Sequence, residues 1–444
     1  MPKSEYVVDP DRFASFCTCG NPHPRPEVRL YSGEDAFRVL ARDCRKVQQD
    51  SPVLVIDDEN THEAAGRDVA GALVEASVSH KVLTLDGDIA MADALADTVQ
   101  DAAAGYSLIL AVGAGTVNDL GKYVATGLDI PYWAVPTAPS MNGYTSSIAA
   151  VKVRGVKRTL PATPPRRIYA VPRVIQKSPL RLRQSGFCDV LAKSVSDTDW
   201  WTESALFSGS YCDLPSGIVA ESEDRYLHSP EKIQNGDIAA VNGLFHGLLI
   251  SGIAMTLAGS SAPASGGEHL VSHVLDMRES LTGRLPELHG LQVGAGVILS
   301  ALCYQRLAAL KSDAVSGGAE AAFRKGLQGI DSIWGPHAEE VRDRFLQKRA
   351  QLLQFDTLLP AKWNELQKRF AAVRSADFFL NLIRRTGFPM TLDSLRLSKA
   401  EFIQAALTAR TIRERITVLD LAAHGNILEA AAEETAARLS RPRG

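Results

Sequence analysis

The chain lacks the features that mark secreted and nucleic-acid-binding proteins. Its 444 residues include only 6 cysteines, spread along the whole length, and the formal net charge is -3. Such cysteines do not form the disulfide framework of a small secreted domain. A nearly neutral chain also gives no reason to expect nucleic acid or an anionic membrane as a partner. The opening residues contain no apolar stretch of the signal-peptide kind, so we expect a cytoplasmic protein.

Long apolar runs, internal repeats and low-complexity tracts are lacking as well. The longest apolar run, residues 243–259, contains His246 and several glycines. It falls short of the roughly 20 residues that a membrane span needs, so it predicts a buried helix and no membrane span. Hydrophobic residues make up 45% and charged residues 22%, as in ordinary globular proteins. The length allows two or three domains.

The order of apolar segments predicts two domains. Short runs rich in β-branched residues alternate with helical stretches, such as Met91–Ala104, up to about residue 175. This order indicates a parallel sheet covered on both faces. After residue 176 only helical patterns follow. We therefore predict an α/β fold, with a Rossmann-like domain over 1–175 and a helical domain over 176–444. The predicted strands are Pro52–Asp57, Lys81–Asp86, Ser107–Val112, Tyr132–Val135 and Arg167–Val171.

A glycine-rich turn follows the third of these strands. The segment GAGTVNDLGK (113–122) leads from a buried strand into a helix. Glycines at such a turn let the backbone approach a pyrophosphate, and the helix N-terminus offers unpaired N–H groups. Glycine at this position also often serves only tight packing, so both explanations stay open.

Two further segments end at the same predicted edge of the sheet. The loop VPTAPSMNGYTSS (135–147) carries several hydroxyl groups and Asn142, although it could also be a plain turn. Asp57 and Asp58 close an acidic strand end, where a carboxylate can accept a bond from a ribose hydroxyl and repel a 2′-phosphate. Such a carboxylate would favour NAD over NADP. The ordinary alternative is that an acidic residue at this position only caps a helix.

Histidines form the strongest constellation. The segment GGEHLVSH (266–273) places His269 and His273 one helical turn apart, and His289 follows at the start of another predicted helix. Asp189 lies upstream in an apolar helical setting. Imidazole nitrogens with one carboxylate oxygen suit a divalent ion such as zinc with one open position. A single histidine of this kind would more often be a core residue.

A second group of potential ligands lies near the start of the chain, in CTCGNPH (17–23). Two thiols and an imidazole could hold a metal, but only three ligands are visible and no fourth is obvious. The sequence therefore favours an ordered turn at Cys17, Cys19 and His23.

Taken in order, GAGTVNDLGK, VPTAPSMNGYTSS, GFCDVLAK (186–193), GGEHLVSH and LHG (288–290) resemble the sn-glycerol-1-phosphate dehydrogenases. More widely, the set resembles the superfamily of glycerol dehydrogenase, iron-type alcohol dehydrogenase and dehydroquinate synthase. The resemblance covers about residues 15–310, and the opening CxCGxxH is similar to the bacterial branch. It implies an N-terminal Rossmann-like domain, a helical C-terminal domain and an active site in the cleft.

The resemblance also implies roles for individual residues. Asp189, His269 and His289 would bind the metal, zinc or, as in the bacterial branch, nickel. Asp189 would also face the substrate, and His273 would contact it and relay a proton, so that Asp189 and His273 are the expected catalytic residues. Ser146 and Asp58 would touch NAD, with Asp57 as the fallback. The other expected dinucleotide contacts are Gly113, Ala114, Gly115, Thr116, Val117, Thr137, Ala138, Pro139 and Ser140.

The expected reaction is the reversible, NAD-linked reduction of dihydroxyacetone phosphate to glycerol 1-phosphate, a step of phospholipid metabolism, with NADP as a possible cofactor and a homodimer as the assembly. The family has aspartate in place of Asn142, an expected substrate contact, which puts the substrate in doubt. Residues from about 350 to 444 resemble nothing assignable. The alternatives are a lyase or cyclase of the dehydroquinate synthase type, which regenerates NAD within its cycle, and a non-catalytic nucleotide-binding homologue.

Overall fold

The structure, a computed structural model, describes residues 4–7, 17, 19–24, 27–48, 51–86, 93–153 and 156–441. The chain folds into two compact units. The first comprises Met1–Val190 and Asp213–Ser261, and the second comprises Leu191–Cys212 and Ala262–Gly444. This division differs from the predicted domains 1–175 and 176–444, because the chain returns to the first unit after an excursion into the second.

The first unit is built on a seven-stranded sheet with the order β1-β2-β9-β6-β5-β3-β4. β1 pairs antiparallel with β2, and all the other neighbours pair in parallel. The predicted parallel α/β class is therefore confirmed. The sheet strands are β1 (Ser4–Val7), β2 (Arg29–Ser32), β3 (Val53–Asp58), β4 (His80–Leu85), β5 (Leu108–Gly113), β6 (Tyr132–Pro136) and β9 (Arg167–Ala170).

Burial on both faces explains why the central strands were recognisable. Every residue of β5 and β6 is buried, so each reads in the sequence as a continuous apolar run. In the parallel register Gly113 pairs with Pro136, and Ile56 on the other side of β5 pairs with Ala111. The strands β3, β5 and β6 are thus neighbours, and the three segments predicted to bind a dinucleotide leave the sheet at one edge.

Four of the described strands were not predicted. β1 and β2 are short and polar, so they lack the apolar run on which strand recognition depends. The segments β7 (Ile148–Val153) and β8 (Val156–Pro161) form an antiparallel pair outside the main sheet. Their sequences, IAAVKV and VKRTLP, have basic residues that interrupt the apolar ones and no regular alternation, so the strand signal is weaker than that of a buried run.

Helices cover the sheet of the first unit and make up the described part of the second. Those of the first unit are Ala36–Val47, Glu59–Thr61 with the π-helical turn His62–Gly66, Arg67–Glu75, Asp93–Ala103, Gly115–Leu128, Pro172–Gln176, Leu180–Leu191, Asp213–Ser222, Pro230–Gln234 and Ile238–Ala258. Those of the second are Lys193–Phe207, Gly267–Thr282, His289–Ala309, Ala319–Leu327, Ile330–Trp334, Ala338–Gln347, Arg349–Leu353, Phe355–Ala371, Ala376–Arg385, Lys399–Thr408, Val418–His424 and Leu428–Leu439. Of the predicted helix Met91–Ala104, residues 91 and 92 lie outside the described residues.

Two helices are long and apolar enough to cross a membrane by length and composition, Ile238–Ala258 and His289–Ala309. The first is longer than the apolar run suggested, because Asp237 caps it by accepting a hydrogen bond from the N–H of Ala240. Within their most apolar windows, 61% and 83% of the residues are buried inside the protein. Both helices therefore serve as core helices here, as predicted for residues 243–259.

A buried ion pair organises the C-terminal helices of the second unit. Lys348 Nζ lies 2.8 Å from Asp420 Oδ1, and neither side chain is exposed. Arg410 adds a second cation 3.9 Å from the same oxygen. Asp420 also accepts a bond from the backbone N–H of Thr417, closing the capping box of helix Val418–His424. Several residues between 348 and 420 are thus fixed around one carboxylate.

Candidate active site

The glycine turn after β5 combines tight packing with an open approach. A Cβ on Gly113 would lie 2.6 Å from Cβ of Val117, so this glycine is required for packing. A Cβ on Gly115 would meet nothing closer than Met141 Cγ at 3.7 Å. The helix that begins at Gly115 has no side-chain cap on its N-terminus. The unpaired N–H groups of its first turn therefore favour the binding of an anion at this end of the helix.

A buried lysine that the sequence analysis missed fixes the loop after β6. Lys122 lies on the helix after the glycine turn and has no exposed side-chain surface. Its ammonium donates to the carbonyls of Gly143 at 2.6 Å and Ile148 at 2.7 Å, and to Ser146 Oγ at 3.2 Å. Ser146 is itself buried and donates to the same two carbonyls. The predicted cofactor contact Ser146 therefore already has a structural role in holding the loop.

The acidic end of β3 contains two carboxylates in different settings. Asp58 is the N-cap of the next helix, where its Oδ1 accepts from the N–H of Thr61 at 2.8 Å in a capping box. Asp57 is fully buried and its Oδ2 pairs with His62 Nδ1 at 2.8 Å. The cap that the sequence analysis weighed against ribose binding is thus present at Asp58. It also fixes the direction of this carboxylate at the sheet edge.

Asp189 is buried and hydrogen-bonded to the loop that carries Asn142. The backbone N–H of Asn142 donates to Asp189 Oδ2 at 2.8 Å, and its side-chain amide donates to Asp189 Oδ1 at 3.2 Å. Both oxygens of the carboxylate are therefore oriented by one residue. The amide in place of the family's aspartate acts here as a donor to the expected metal ligand.

The helix that carries Asp189 is locked against the same loop. A Cβ on Gly186 would lie 1.8 Å from the carbonyl oxygen of Pro139, so only glycine allows this contact. One residue earlier, Ser185 Oγ donates to the carbonyl of Ser140 at 3.1 Å. The segment Thr137–Ser140, predicted to bind a dinucleotide, and the predicted metal ligand are parts of one rigid arrangement in the first unit.

The second unit brings the three predicted histidines together. The ring centres of His269 and His289 are 5.2 Å apart, and that of His273 lies 5.8 Å from His289 and 6.2 Å from His269. His269 and His273 extend from helix Gly267–Thr282, and His289 begins helix His289–Ala309. The one-turn spacing seen in the sequence therefore does place both rings on the side that His289 faces.

Hydrogen bonds orient two of these rings. His269 Nδ1 lies 2.9 Å from Glu268 Oε1, and His289 Nδ1 lies 2.8 Å from Ser272 Oγ. When Nδ1 bonds to a carboxylate or hydroxyl, the other ring nitrogen, Nε2, becomes the metal-binding atom. Glu268 is fully buried and also accepts from the N–H of Gly266 at 2.7 Å. These partners were not identified from the sequence, although both are in the GGEHLVSH segment.

An arginine from the C-terminal part of the chain lies beside His273. Arg413 Nη2 is 3.4 Å from His273 Nδ1. Burial lowers the pKa of Arg413 to about 10, with the positive charges of Arg415 and Arg344 contributing, so the side chain remains a cation at neutral pH. Arg413 could not be linked to the histidine motifs from the sequence, because it lies 140 residues beyond His273.

A buried aspartate anchors the start of the histidine helix. Asp199 accepts from the N–H of Gly267 at 2.7 Å, the N–H of Val418 at 2.6 Å and the hydroxyl of Tyr304 at 2.5 Å. Burial raises the pKa of Asp199 to about 7, the charge of Glu268 adds to this, and the three donors oppose it. Asp199 thus holds two segments of the second unit to one point, a role with no local signal in the sequence.

Comparison with known proteins identifies the family. Residues 31–179 match the iron-containing alcohol dehydrogenase family. The glycerol-1-phosphate dehydrogenase [NAD(P)+] of Geobacillus thermodenitrificans is 34% identical over 284 residues, which are 63% of this chain and 70% of that protein. The protein of the same name from Pyrococcus furiosus is 32% identical over 61% of this chain and 76% of its own length. The chain belongs to the glycerol-1-phosphate dehydrogenase family. The family recognised from the motifs is confirmed, and the chain is an oxidoreductase.

The fold of this family member extends through the C-terminal segment. The structure of a probable glycerol dehydrogenase from Sinorhizobium meliloti matches with a TM-score of 0.59 at 17% identity, over 92% of this chain and 98% of that one. A match of this extent takes in most of residues 350–444, which sequence motifs could not assign. The segment is part of the shared fold, and Arg413 lies within it. The family is NAD(P)-dependent and metal-containing, which confirms the coarser part of the predicted cofactors.

Proposed function

We propose that the protein reduces dihydroxyacetone phosphate to sn-glycerol 1-phosphate, reversibly, with NADH as the preferred hydride donor. The oriented histidine cluster beside Arg413 carries this proposal, because it joins a metal-binding set to a cation suited to a phosphate. Relatives that carry the name glycerol-1-phosphate dehydrogenase [NAD(P)+] support it. The homodimer and the cytoplasmic localisation stay predictions.

Asp189, His269 and His289 are the metal ligands in this proposal. They offer one carboxylate oxygen and two ring nitrogens, a donor set that could hold a divalent ion. The hydrogen bonds of Glu268 and Ser272 to the two Nδ1 atoms fit this role, since both rings then present Nε2. Zinc and nickel both suit such ligands. When bound, the ion supplies a Lewis acid for the substrate oxygen.

The dinucleotide is proposed to bind along the edge where β3, β5 and β6 end. The uncapped helix N-terminus at Gly115 and the open space above it suit a pyrophosphate. The loop Thr137–Ser140, held by Ser185 and Gly186, would form the other wall. Asp58 would accept a hydrogen bond from the ribose and repel a 2′-phosphate. The protein's part in hydride transfer is then to orient the nicotinamide.

His273 is the proposed proton relay. Its ring is stacked on that of His289 at 5.8 Å, which keeps it beside a ligand without requiring it to be one. An imidazole titrates near neutrality and can give a proton to the alkoxide formed in reduction and remove it in oxidation. Arg413, 3.4 Å from His273 Nδ1, would bind the substrate phosphate and so position the carbonyl group.

The test is turnover of the metal-loaded protein, followed at the NADH absorbance band. Dihydroxyacetone phosphate is compared with dihydroxyacetone, which has the same ketone but no phosphate. We expect NADH oxidation with the phosphorylated ketone and a much higher KM without the phosphate. Release of inorganic phosphate with no net change in NADH would instead indicate a dehydroquinate synthase-type reaction. Nucleotide binding with no turnover of any ketone would indicate a non-catalytic homologue.

A further inference from the structure

The cysteine motif at the start of the chain is more ordered than a plain turn requires. Cys17 Sγ lies 3.1 Å from Cys19 Sγ and 2.9 Å from His23 Nε2, and Cys19 Sγ lies 3.3 Å from the same nitrogen. Two sulfur atoms and one imidazole nitrogen thus lie close together. The edges of a zinc tetrahedron with ordinary Zn–S and Zn–N bonds are about 3.6–3.8 Å, roughly 0.3–0.7 Å longer than these distances.

The ring of His23 is held in the orientation that a ligand needs. Its Nδ1 bonds to the backbone carbonyl of Leu257 at 2.8 Å, so Nδ1 carries the proton and Nε2 is the unprotonated nitrogen that faces the thiols. A bond from the non-ligating nitrogen to a backbone carbonyl is the usual support of a zinc-bound histidine. This second observation is independent of the distances between the cysteines.

Cys212 is a fourth potential ligand, which the sequence did not reveal. It is buried, and it directly precedes Asp213, where the chain re-enters the first unit. Of the other cysteines, Cys44 packs in the apolar core of the sheet and Cys188 adjoins Asp189. Cys17, Cys19, His23 and Cys212 together offer three sulfurs and one nitrogen, a donor set that could hold a metal ion.

We propose that Cys17, Cys19, His23 and Cys212 bind a structural zinc ion, separate from the metal of the proposed active site. Three thiolates and one imidazole are a common closed, tetrahedral set for structural zinc. Binding releases the thiol protons and leaves no open position, so the site takes no substrate.

The hydrogen bond from His23 to the carbonyl of Leu257 indicates a structural role for this site. Leu257 is at the end of helix Ile238–Ala258. The same helix bonds to the loop after β6, because Thr145 Oγ1 donates to the carbonyl of Leu249 at 2.6 Å and Thr256 Oγ1 donates to the carbonyl of Thr145 at 3.1 Å. A zinc ion would therefore tie the start of the chain to the helix that supports this loop.

Cobalt substitution tests the proposal without interference from the other metal. Thiolate ligands give Co²⁺ a strong near-ultraviolet charge-transfer band, whereas the proposed catalytic ligands include no sulfur. We expect the band in the cobalt-loaded full-length protein, its loss in Cys17→Ser and Cys212→Ser, and its retention in Cys44→Ala. His269→Ala should keep the band while it loses the catalytic metal. Elemental analysis should give two ions per chain in the wild type and one in each of these three ligand variants.

Thiol reactivity provides a second measurement that needs no variant. Cys17 and Cys19 are the half-buried cysteines, and the other four are buried. With zinc bound, Cys17 and Cys19 should react slowly with a thiol reagent, and a chelator should speed their reaction. No charge-transfer band, a band that persists in both Cys17→Ser and Cys212→Ser, immediate thiol reaction without chelator, or a mass showing a Cys17–Cys19 disulfide would each overturn the proposal. None of these outcomes bears on the ketone reductase activity.

Discussion

Replacing Asn142 by aspartate should make the stability of the protein depend strongly on metal and on pH. The side-chain amide of Asn142 donates to Asp189 Oδ1 at 3.2 Å, so the variant would place two carboxylates at that distance in a buried site. Two unit charges at this separation repel by about 5 kcal/mol at an effective dielectric constant near 20. A proton shared between the two carboxyl groups relieves part of this repulsion. We therefore expect the free energy of unfolding of the metal-free protein to fall by about 2–3 kcal/mol at pH ~8.

The sign of the pH dependence follows from the same repulsion. Repulsion raises the pKa of the carboxyl pair in the folded variant above its value in the unfolded chain. The variant is therefore closest to wild type at low pH, and it loses stability as pH rises through the raised pKa. A bound divalent ion neutralises both carboxylates, so the loss should shrink in the metal-loaded protein. A domain of about 150–250 residues loses roughly 2–4 °C per kcal/mol. In the metal-free variant, the transition of the first unit, which holds both residues, should therefore lie about 4–12 °C below that of wild type at pH ~8.

Thermal unfolding of metal-free and metal-loaded protein at pH ~5.5 and ~8 measures these effects. Asn142→Ala is the matched control, because it removes the amide donor without adding a charge. It should cost about 1.5–3 kcal/mol at both pH values. An Asn142→Asp variant that unfolds like Asn142→Ala at both pH values, with and without metal, would refute the reasoning. The amide of Asn142 would then not face the carboxylate of Asp189.

Four further predictions concern the proposed site and the core. His269→Ala should lose both the catalytic metal and activity, whereas His273→Ala should keep the metal and slow turnover by about 10²–10⁴-fold, as measured by elemental analysis and kcat. NADH should have a higher kcat/KM than NADPH, and Asp58→Asn, which keeps a capping side chain but removes the charge, should narrow the difference. Arg413→Met should raise KM for dihydroxyacetone phosphate at least tenfold, because the proposed partner of Arg413 is the substrate phosphate. The KM for dihydroxyacetone, which has no phosphate, should stay nearly unchanged. Lys348→Met leaves Arg410, 3.9 Å away, as the cation beside the buried Asp420 carboxylate. The variant should cost about 3 kcal/mol in denaturant unfolding, and a loss under 1 kcal/mol would contradict the buried pair.

The fold was largely predictable because its central strands are buried on both faces. β3, β5 and β6 appear in the sequence as short apolar runs, and the structure begins and ends them within a residue of the prediction. The hairpin of β7 and β8 was missed, because basic residues interrupt its apolar residues and neither strand shows a regular alternation. The single predicted boundary near residue 175 could not anticipate a chain that leaves the first unit and comes back.

The candidate site was predictable where its residues are close in sequence. His269 and His273 share one helix, and the glycine turn follows one strand directly. The supporting contacts join distant segments instead: Asn142 meets Asp189 across 47 residues, and His273 meets Arg413 across 140. Such contacts depend on tertiary packing, which leaves no periodicity in the sequence.

The order in which segments of the two units follow one another along the chain has a consequence for folding during synthesis. Val241, Phe245 and Leu249 pack in the apolar core beneath the sheet, so the first unit lacks part of its covering until residues 213–261 have left the ribosome. By then Leu191–Cys212 has already emerged, while most of the second unit, to which it belongs, has not yet been synthesised. A nascent chain of this length exposes apolar surface from both units at once and is prone to aggregation. Stalled or truncated chains ending near residue 210 should therefore depend on chaperones more than the finished protein does.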